Sequence, residues 1–265
     1  MLICILLICA LVSFLGTMAG FGGGIFIVPI LVMFFKVPIE MAIGVTAISL
    51  FPSSLLSTCL NIKKKAVDYK LMIALEIPTI VGAFLGAKLT GLIPTKPLEM
   101  IFASFLLFMA YKTLWPAKKE TFFSKIVENL NNKGFLIKNE HYKVSLYSAS
   151  IFGILAGVLA GLFGIGGGII KTPIMINIFK VPIKTATATA LAMIVFTSLS
   201  SGITHWQMGH IEKELLAYVV SGFFLGALIG AWTNSKFTDK HVKKLISFSI
   251  ALAGMSVFVH AVFLA

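Results

Sequence analysis

Apolar runs fill most of this chain, and the polar residues gather in short gaps between them. The gaps mark off ten segments, at about 2–19, 24–36, 39–61, 68–91 and 97–115, then 144–163, 168–180, 183–206, 211–235 and 241–263. Most are long and apolar enough to cross a bilayer as helices, so the pattern predicts an all-α, polytopic membrane protein. Two segments, 24–36 and 168–180, are short. Thirteen residues at about 1.5 Å each cover roughly 20 Å, less than the ~30 Å hydrocarbon core. Each is expected to be a re-entrant half-helix or a helix that starts below the membrane surface.

The short segments recur because the chain is duplicated. A shift of 144 residues brings Gly22, Gly23 and Gly24 onto Gly166, Gly167 and Gly168, and Pro29 onto Pro173. It also brings "FKVPI" at 35–39 onto "FKVPI" at 179–183, and Gly82 and Gly86 onto Gly226 and Gly230. The expected organisation is a first transmembrane repeat at 1–115, a cytoplasmic linker at 116–143 and a second transmembrane repeat at 144–265. The first segment lacks the basic start of a signal peptide and is read as a retained helix.

Charge decides between two arrangements of the repeats. All 22 basic residues are lysines, and the net charge is +12. The lysines sit mainly in the links between spans, which points to membrane orientation and not to nucleic acid. If the short segments cross, each repeat has five crossings and the repeats are inverted. The lysines then divide 17 inside against 4 outside, with Lys171 set apart. If the short segments dip in and return, the repeats are parallel and the division is 12 against 9. The positive-inside bias favours two inverted five-segment repeats, with broken or short helices after the glycine triplets.

The triplets carry the candidate chemistry. Glycines that interrupt a membrane helix expose backbone groups that lipid cannot satisfy. The helix that restarts after them offers unpaired N–H groups and partial positive charge, and glycine lets a ligand approach closely. Gly22, Gly23, Gly24, Gly166, Gly167 and Gly168 are therefore candidates for binding an anion, with the two breaks facing each other near the midplane. The alternative is a packing hinge. Lys171 has no counterpart in the first repeat, where Ile27 stands. It is a candidate to meet the same anion, or else to snorkel to the interface. Thr172 beside it joins the candidate site. The phosphate loop G-x-x-x-x-G-K-[ST] does not fit, because Ile170 precedes Lys171.

Ser49, Ser53, Ser57 and Asn61 share one face of the third segment, and their counterparts under the shift are Met193, Thr197, Ser201 and His205 of the eighth. Ser53 and Thr197 are expected either to line a path or to join helices. Gly82, Gly86, Gly226, Gly230, Gly153, Gly157 and Gly161 are expected at close helix contacts. Glu76 is the one carboxylate well inside a predicted span, with Val220 as its counterpart. It is a proton-coupling candidate, or it pairs with a lysine near the inner face. His205, His210 and His260 fall near helix ends and are read as interfacial. Cys4, Cys9 and Cys59 have neither metal-ligand nor disulfide spacing. No metal, cofactor or nucleic-acid site is expected.

The boxes "GFGGGIFIVPIL" and "GLFGIGGGIIKTPIM", the following "KVP" elements and the duplication together resemble the sulfite exporter TauE/SafE family. The resemblance covers essentially the whole chain. It implies a multi-pass transporter of small sulfur-containing anions such as sulfite, thiosulfate or organosulfonates, in the cytoplasmic membrane. Export is the direction it favours. No arginine is available for a bidentate clamp, which leaves backbone N–H groups, Lys171 and hydroxyls. Secondary transport is expected, because the chain contains no nucleotide-binding domain. The rival readings are a passive anion channel and a non-transporting membrane scaffold or assembly subunit; homo-oligomerisation stays open. No enzyme is expected, since there is no H-E-x-x-H, nucleophile–base pair or carboxylate dyad.

Overall fold

The computed structural model describes residues 2–18, 20–114, 136–138, 142–233 and 255. Its helices follow the apolar segments closely. They are α1 (Leu2–Met18), α2 (Gly24–Phe35), α3 (Ile39–Lys63), α4 (Tyr69–Thr90) and α5 (Thr95–Leu114), then α6 (Leu146–Phe163), α7 (Gly168–Pro173), α8 (Ile183–Gln207) and α9 (Lys213–Thr233). The expected segment at 241–263 lies outside the described residues, as does most of the linker. What is described of the linker includes a feature the hydropathy pattern does not signal. Strands β1 (Leu136–Lys138) and β2 (Lys143–Ser145) pair antiparallel, and Tyr142 donates a hydrogen bond to Asp68 at the start of α4.

Local chemistry sets the helix boundaries. Asp68 caps α4 by accepting a hydrogen bond from the Leu71 N–H, and Ser145 caps α6 through the Tyr147 N–H. Pro38 and Pro182 precede α3 and α8, where their fixed φ suits a helix entrance. Lys36 and Lys180, 144 residues apart, both adopt left-handed backbone as the short helical segments end. In the second repeat α7 runs on past Pro173 as a π-helical turn over Ile174–Ile178. Among the described residues, five helices are long and apolar enough to cross a membrane: α3, α4, α6, α8 and α9. Their exposed faces are greasy, with Ile73, Ile77, Val81, Leu155, Leu225, Ile229 and Trp232 all turned outward. That is the surface expected of an all-α, multi-pass protein in lipid.

The two repeats interlock through glycine. Gly82 and Gly86 of α4 press against the Ile154 and Val158 carbonyls of α6. Gly226 and Gly230 of α9 press against Ala10 and Phe14 of α1. These two contacts exchange under the 144-residue shift. Gly153, Gly157 and Gly161 complete the α6 side, as expected from their spacing. A methyl group on Gly86 would stand 2.0 Å from the Val158 carbonyl oxygen, and backbone on both sides leaves little room to yield. Gly86→Ala should therefore cost about 1–3 kcal/mol. The check is a lowered melting temperature of the purified protein; an unchanged one would mean that α4 and α6 do not pack this closely.

Helix direction follows from the same contacts. Gly82 and Gly86 meet Ile154 and Val158 in the same order along the chain, so α4 and α6 run in the same sense. Helices α1 and α9 do likewise. The corresponding helices α3 and α8 run in opposite senses. Gly44 lies against His210 and Ile48 against Gly202, while Val67 at the far end clusters with Ala188 and Ala192. The bundle thus has two ends. One gathers Glu40, Gly91, Thr95 and His210. The other gathers Asp68, Tyr142 and Thr189.

Candidate functional site

Each glycine box makes the same backbone path. Gly20, Gly22 and Gly23 take positive φ of 79°, 77° and 91°, and Gly164, Gly166 and Gly167 take 64°, 67° and 73°. Side chains strongly disfavour that region, which explains why glycine occupies all six positions. The turn sends the chain back, so α2 returns toward the end of the bundle where α3 begins, and α7 does the same for α8. The two turns touch. A Cβ on Gly24 would lie 3.3 Å from the Ile165 Cα, and one on Gly168 would lie 2.7 Å from the Phe21 Cα. Both pack against the middles of α3 and α8.

In this conformation the breaks are closed. Gly22, Gly23, Gly24, Gly166, Gly167 and Gly168 are all buried. Leu50 of α3 and Ile194 of α8 lie over them: Leu50 against Gly22, Gly24 and Gly166, and Ile194 against Gly22, Gly166 and Gly168. Leu50 and Ile194 are themselves 144 residues apart. The sequence suggests glycine amides open to a solute; here two apolar side chains occupy that space. Nothing in composition marks them, although their equivalence under the repeat shift was legible.

The polar centre lies beside the second break. Lys171 is 1% exposed and Glu76 3%, so neither reaches an interface. The Lys171 Nζ donates to Glu76 Oε2 at 2.8 Å and to Thr197 Oγ1 at 2.7 Å. Thr197 Oγ1 donates in turn to Glu76 Oε1. The three groups close a ring from three helices, α7, α4 and α8. The ring explains how two full charges sit inside a bilayer protein: each has a partner of opposite sign and a shared hydroxyl. Gly167 makes room for the lysine stem, since a Cβ there would lie 3.0 Å from Lys171 Cε. Under the 144-residue shift the equivalent positions are Ile27 and Ser53 in the first repeat and Val220 in the second, so the ring has no ionic twin.

Other expected site residues are placed differently. Ser53 Oγ bonds back to the Leu50 carbonyl at 3.0 Å. Ser49 and Ser57 likewise bond within α3, to the carbonyls of Val45 and Ser53. None of these three joins α3 to another helix. Thr172 Oγ1 donates to the Gly20 carbonyl at 3.2 Å and ties the two glycine turns together. His205 is fully buried and not interfacial, as the pattern had suggested. Its proximity to the chain end of α8 hid the fact that α6 covers it. His260 lies outside the described residues.

Comparison with known proteins identifies the family. The family model described as "Sulfite exporter TauE/SafE" matches residues 5–257. The chain belongs to that family. Among relatives, "Probable membrane transporter protein YunE" of Bacillus subtilis is 29% identical over 263 residues, covering 94% of each chain. A second B. subtilis protein, "Probable membrane transporter protein YdhB", is 29% identical over 255 residues, covering 94% of this chain and 98% of its own. The Arabidopsis thaliana "Sulfite exporter TauE/SafE family protein 1" is 33% identical over 103 residues, which is 38% of this chain and 23% of that one. No solved structure matches the chain. The TauE/SafE chain described here is thus a multi-pass membrane transporter for a small solute and not an enzyme.

Proposed function

We propose that this TauE/SafE protein is a secondary transporter that moves a small sulfur-containing anion through the Lys171–Glu76–Thr197 ring. One observation carries the reading: the ammonium suited to an anion is already held by a carboxylate. An anionic solute and ionised Glu76 must compete for Lys171. Protonation of Glu76 ends that competition by removing its charge, and the ammonium becomes free to bind the anion. Proton and anion therefore bind together, which is a coupling between two sites through one shared partner. Movement of Leu50 and Ile194 away from the turns adds glycine N–H groups to the site.

The antiparallel α3 and α8, and the pairwise exchange of contacts, support inverted repeats around this centre. The end of the bundle beyond Asp68 adjoins Lys63, Lys64, Lys65 and Lys70, and the positive-inside bias assigns it to the cytoplasm. The cytoplasmic membrane is the location this implies; export as the direction rests on the family description alone. The sulfur-anion class rests on the family description and on the printed name of the Arabidopsis relative.

Counterflow in proteoliposomes tests the proposal. Vesicles preloaded with unlabelled sulfite, thiosulfate, sulfate, taurine or sulfoacetate should accumulate the labelled form of the substrate among them from outside. A passive channel would give flux without this trans-stimulation, and a scaffold would give no flux.

A further inference from the structure

The face of α8 that holds Thr197 continues as a line of polar groups to the end of the bundle. Thr197, Ser201 and His205 follow at four-residue intervals, with their Cβ atoms about 5–6 Å apart. All three are buried. Beyond the helix, the partly buried His210 meets His205, with the two Nδ1 atoms 3.1 Å apart. Ser201 is unusual among the described residues: its hydroxyl is a buried side-chain polar atom with no hydrogen-bond partner. Leaving such a group unpaired is costly, and in a native protein it calls for an explanation. The equivalent Ser57 in the first repeat bonds to the Ser53 carbonyl instead. The equivalents of His205 and His210 there are Asn61 and Ala66, so the line belongs to one repeat only.

We propose that this face of α8 is a proton relay, leading from His210 through His205 and Ser201 to Thr197 and Glu76. It rests on the transport reading above, in which Glu76 carries the proton, and it names the route by which that proton arrives. The ring contacts set the direction of each hydrogen bond. His205 Nε2 lies 3.2 Å from the Gly161 carbonyl, which only accepts, so Nε2 carries the hydrogen. The Nδ1 of neutral His205 is then the acceptor, and the Nδ1–H of His210 donates to it. A proton arriving at His210 Nε2 sends the Nδ1 proton on to His205 Nδ1. To pass its Nε2 proton on, the His205 ring turns from the Gly161 carbonyl toward Ser201, one turn back along α8. Ser201 Oγ accepts one proton and passes its own on toward Thr197. Glu76 receives the proton on a carboxylate oxygen and becomes neutral. Ring rotation of the two histidines resets the path.

The charged surroundings fit a relay. The groups facing His210 from outside its own segment include His205 of α8 and Glu40 at the start of α3, itself bonded to Thr95 of α5. Burial pushes His210 below the ordinary histidine value, and Glu40 draws it part of the way back. His205 faces His210 and the Gly161 carbonyl. Glu76 faces Lys171 and Thr197.

A caged-proton flash with time-resolved infrared detection tests the relay on the full chain without any transported solute. The signal is the carboxylic acid C=O band that Glu76→Gln removes. Ser201→Ala and His205→Gln should each slow the rise of this band at least tenfold while leaving its final amplitude unchanged. Ser201→Thr, which restores a hydroxyl, should keep the wild-type rate. Ser201→Ala deletes no existing hydrogen bond, so its fold is secure even if His205→Gln proves unstable. Wild-type rates in Ser201→Ala would overturn the proposal. So would the absence of a Glu76 band at any pH from about 4 to 8. Lack of anion flux in vesicles, by contrast, would count against the transport reading while this rate comparison still stood.

Discussion

Lys171→Ala should destabilise the protein by about 3–5 kcal/mol, because it strands the Glu76 carboxylate in the bundle interior. Seen from sequence alone, Lys171 is a candidate anion contact whose removal weakens binding and spares the fold. The ring changes that expectation. Lys171 and Glu76 are both buried, and each is the other's ionic partner. Removing one leaves a charge without water, a counter-ion or a hydrogen bond to replace the loss. Replacing both with apolar residues of similar size is a different case. Lys171→Met combined with Glu76→Leu removes both desolvation costs and should recover most of the lost stability. The comparison needs three variants and one unfolding assay. Single variants as stable as the wild type would mean that the two side chains do not meet. The double variant should fold and yet fail to bind or move an anion, which separates the role of the pair in transport from its role in folding.

Glu76→Gln should produce a gain before it produces a loss. Glutamine resembles the protonated carboxyl group: its amide oxygen still accepts from Lys171 but forms no ion pair, so the variant is less stable than the wild type until an anion binds. At pH 7 the variant should bind thiosulfate about tenfold or more tightly than the wild type, within the usual range of site-to-site coupling. In the wild type, affinity should rise as pH falls and Glu76 takes up its proton. In the variant it should stay level. Thiosulfate suits the measurement because its own charge is constant over this range. Tight binding without release makes a poor transporter, so the same variant should lose pH-driven uptake in vesicles. Retention of the full wild-type pH dependence in Glu76→Gln would exclude that carboxylate as the proton carrier.

Much of this architecture is legible in the sequence because the bilayer makes strong demands on it. Helix ends fall within a few residues of the hydropathy breaks, since lipid tolerates neither exposed backbone nor long polar runs. The 144-residue duplication also locates the two turns and the close-packed glycine faces before any coordinates are seen. The site is less legible. Lys171 and Glu76 are each conspicuous, but 95 residues separate them, and their meeting depends on α4 and α8 both lying beside α7. No local pattern encodes that. Leu50 and Ile194 are ordinary residues in apolar helices, and only three-dimensional contact shows that they cover the glycines. His205 looks terminal along the chain and is buried in space, because the last turn of α6 lies against it. Local pattern thus specified the elements, while the pairing of charges came from packing between repeats.

The central claim is that one proton and one anion enter together because both act on the same lysine. Calorimetric titration in two buffers of different ionisation enthalpy measures this directly, using whichever of thiosulfate, sulfate and sulfoacetate most raises the melting temperature. Near pH 7 the wild type should take up close to one proton per anion bound, and Glu76→Gln should take up none. Anion binding to the wild type with no proton uptake would contradict the account.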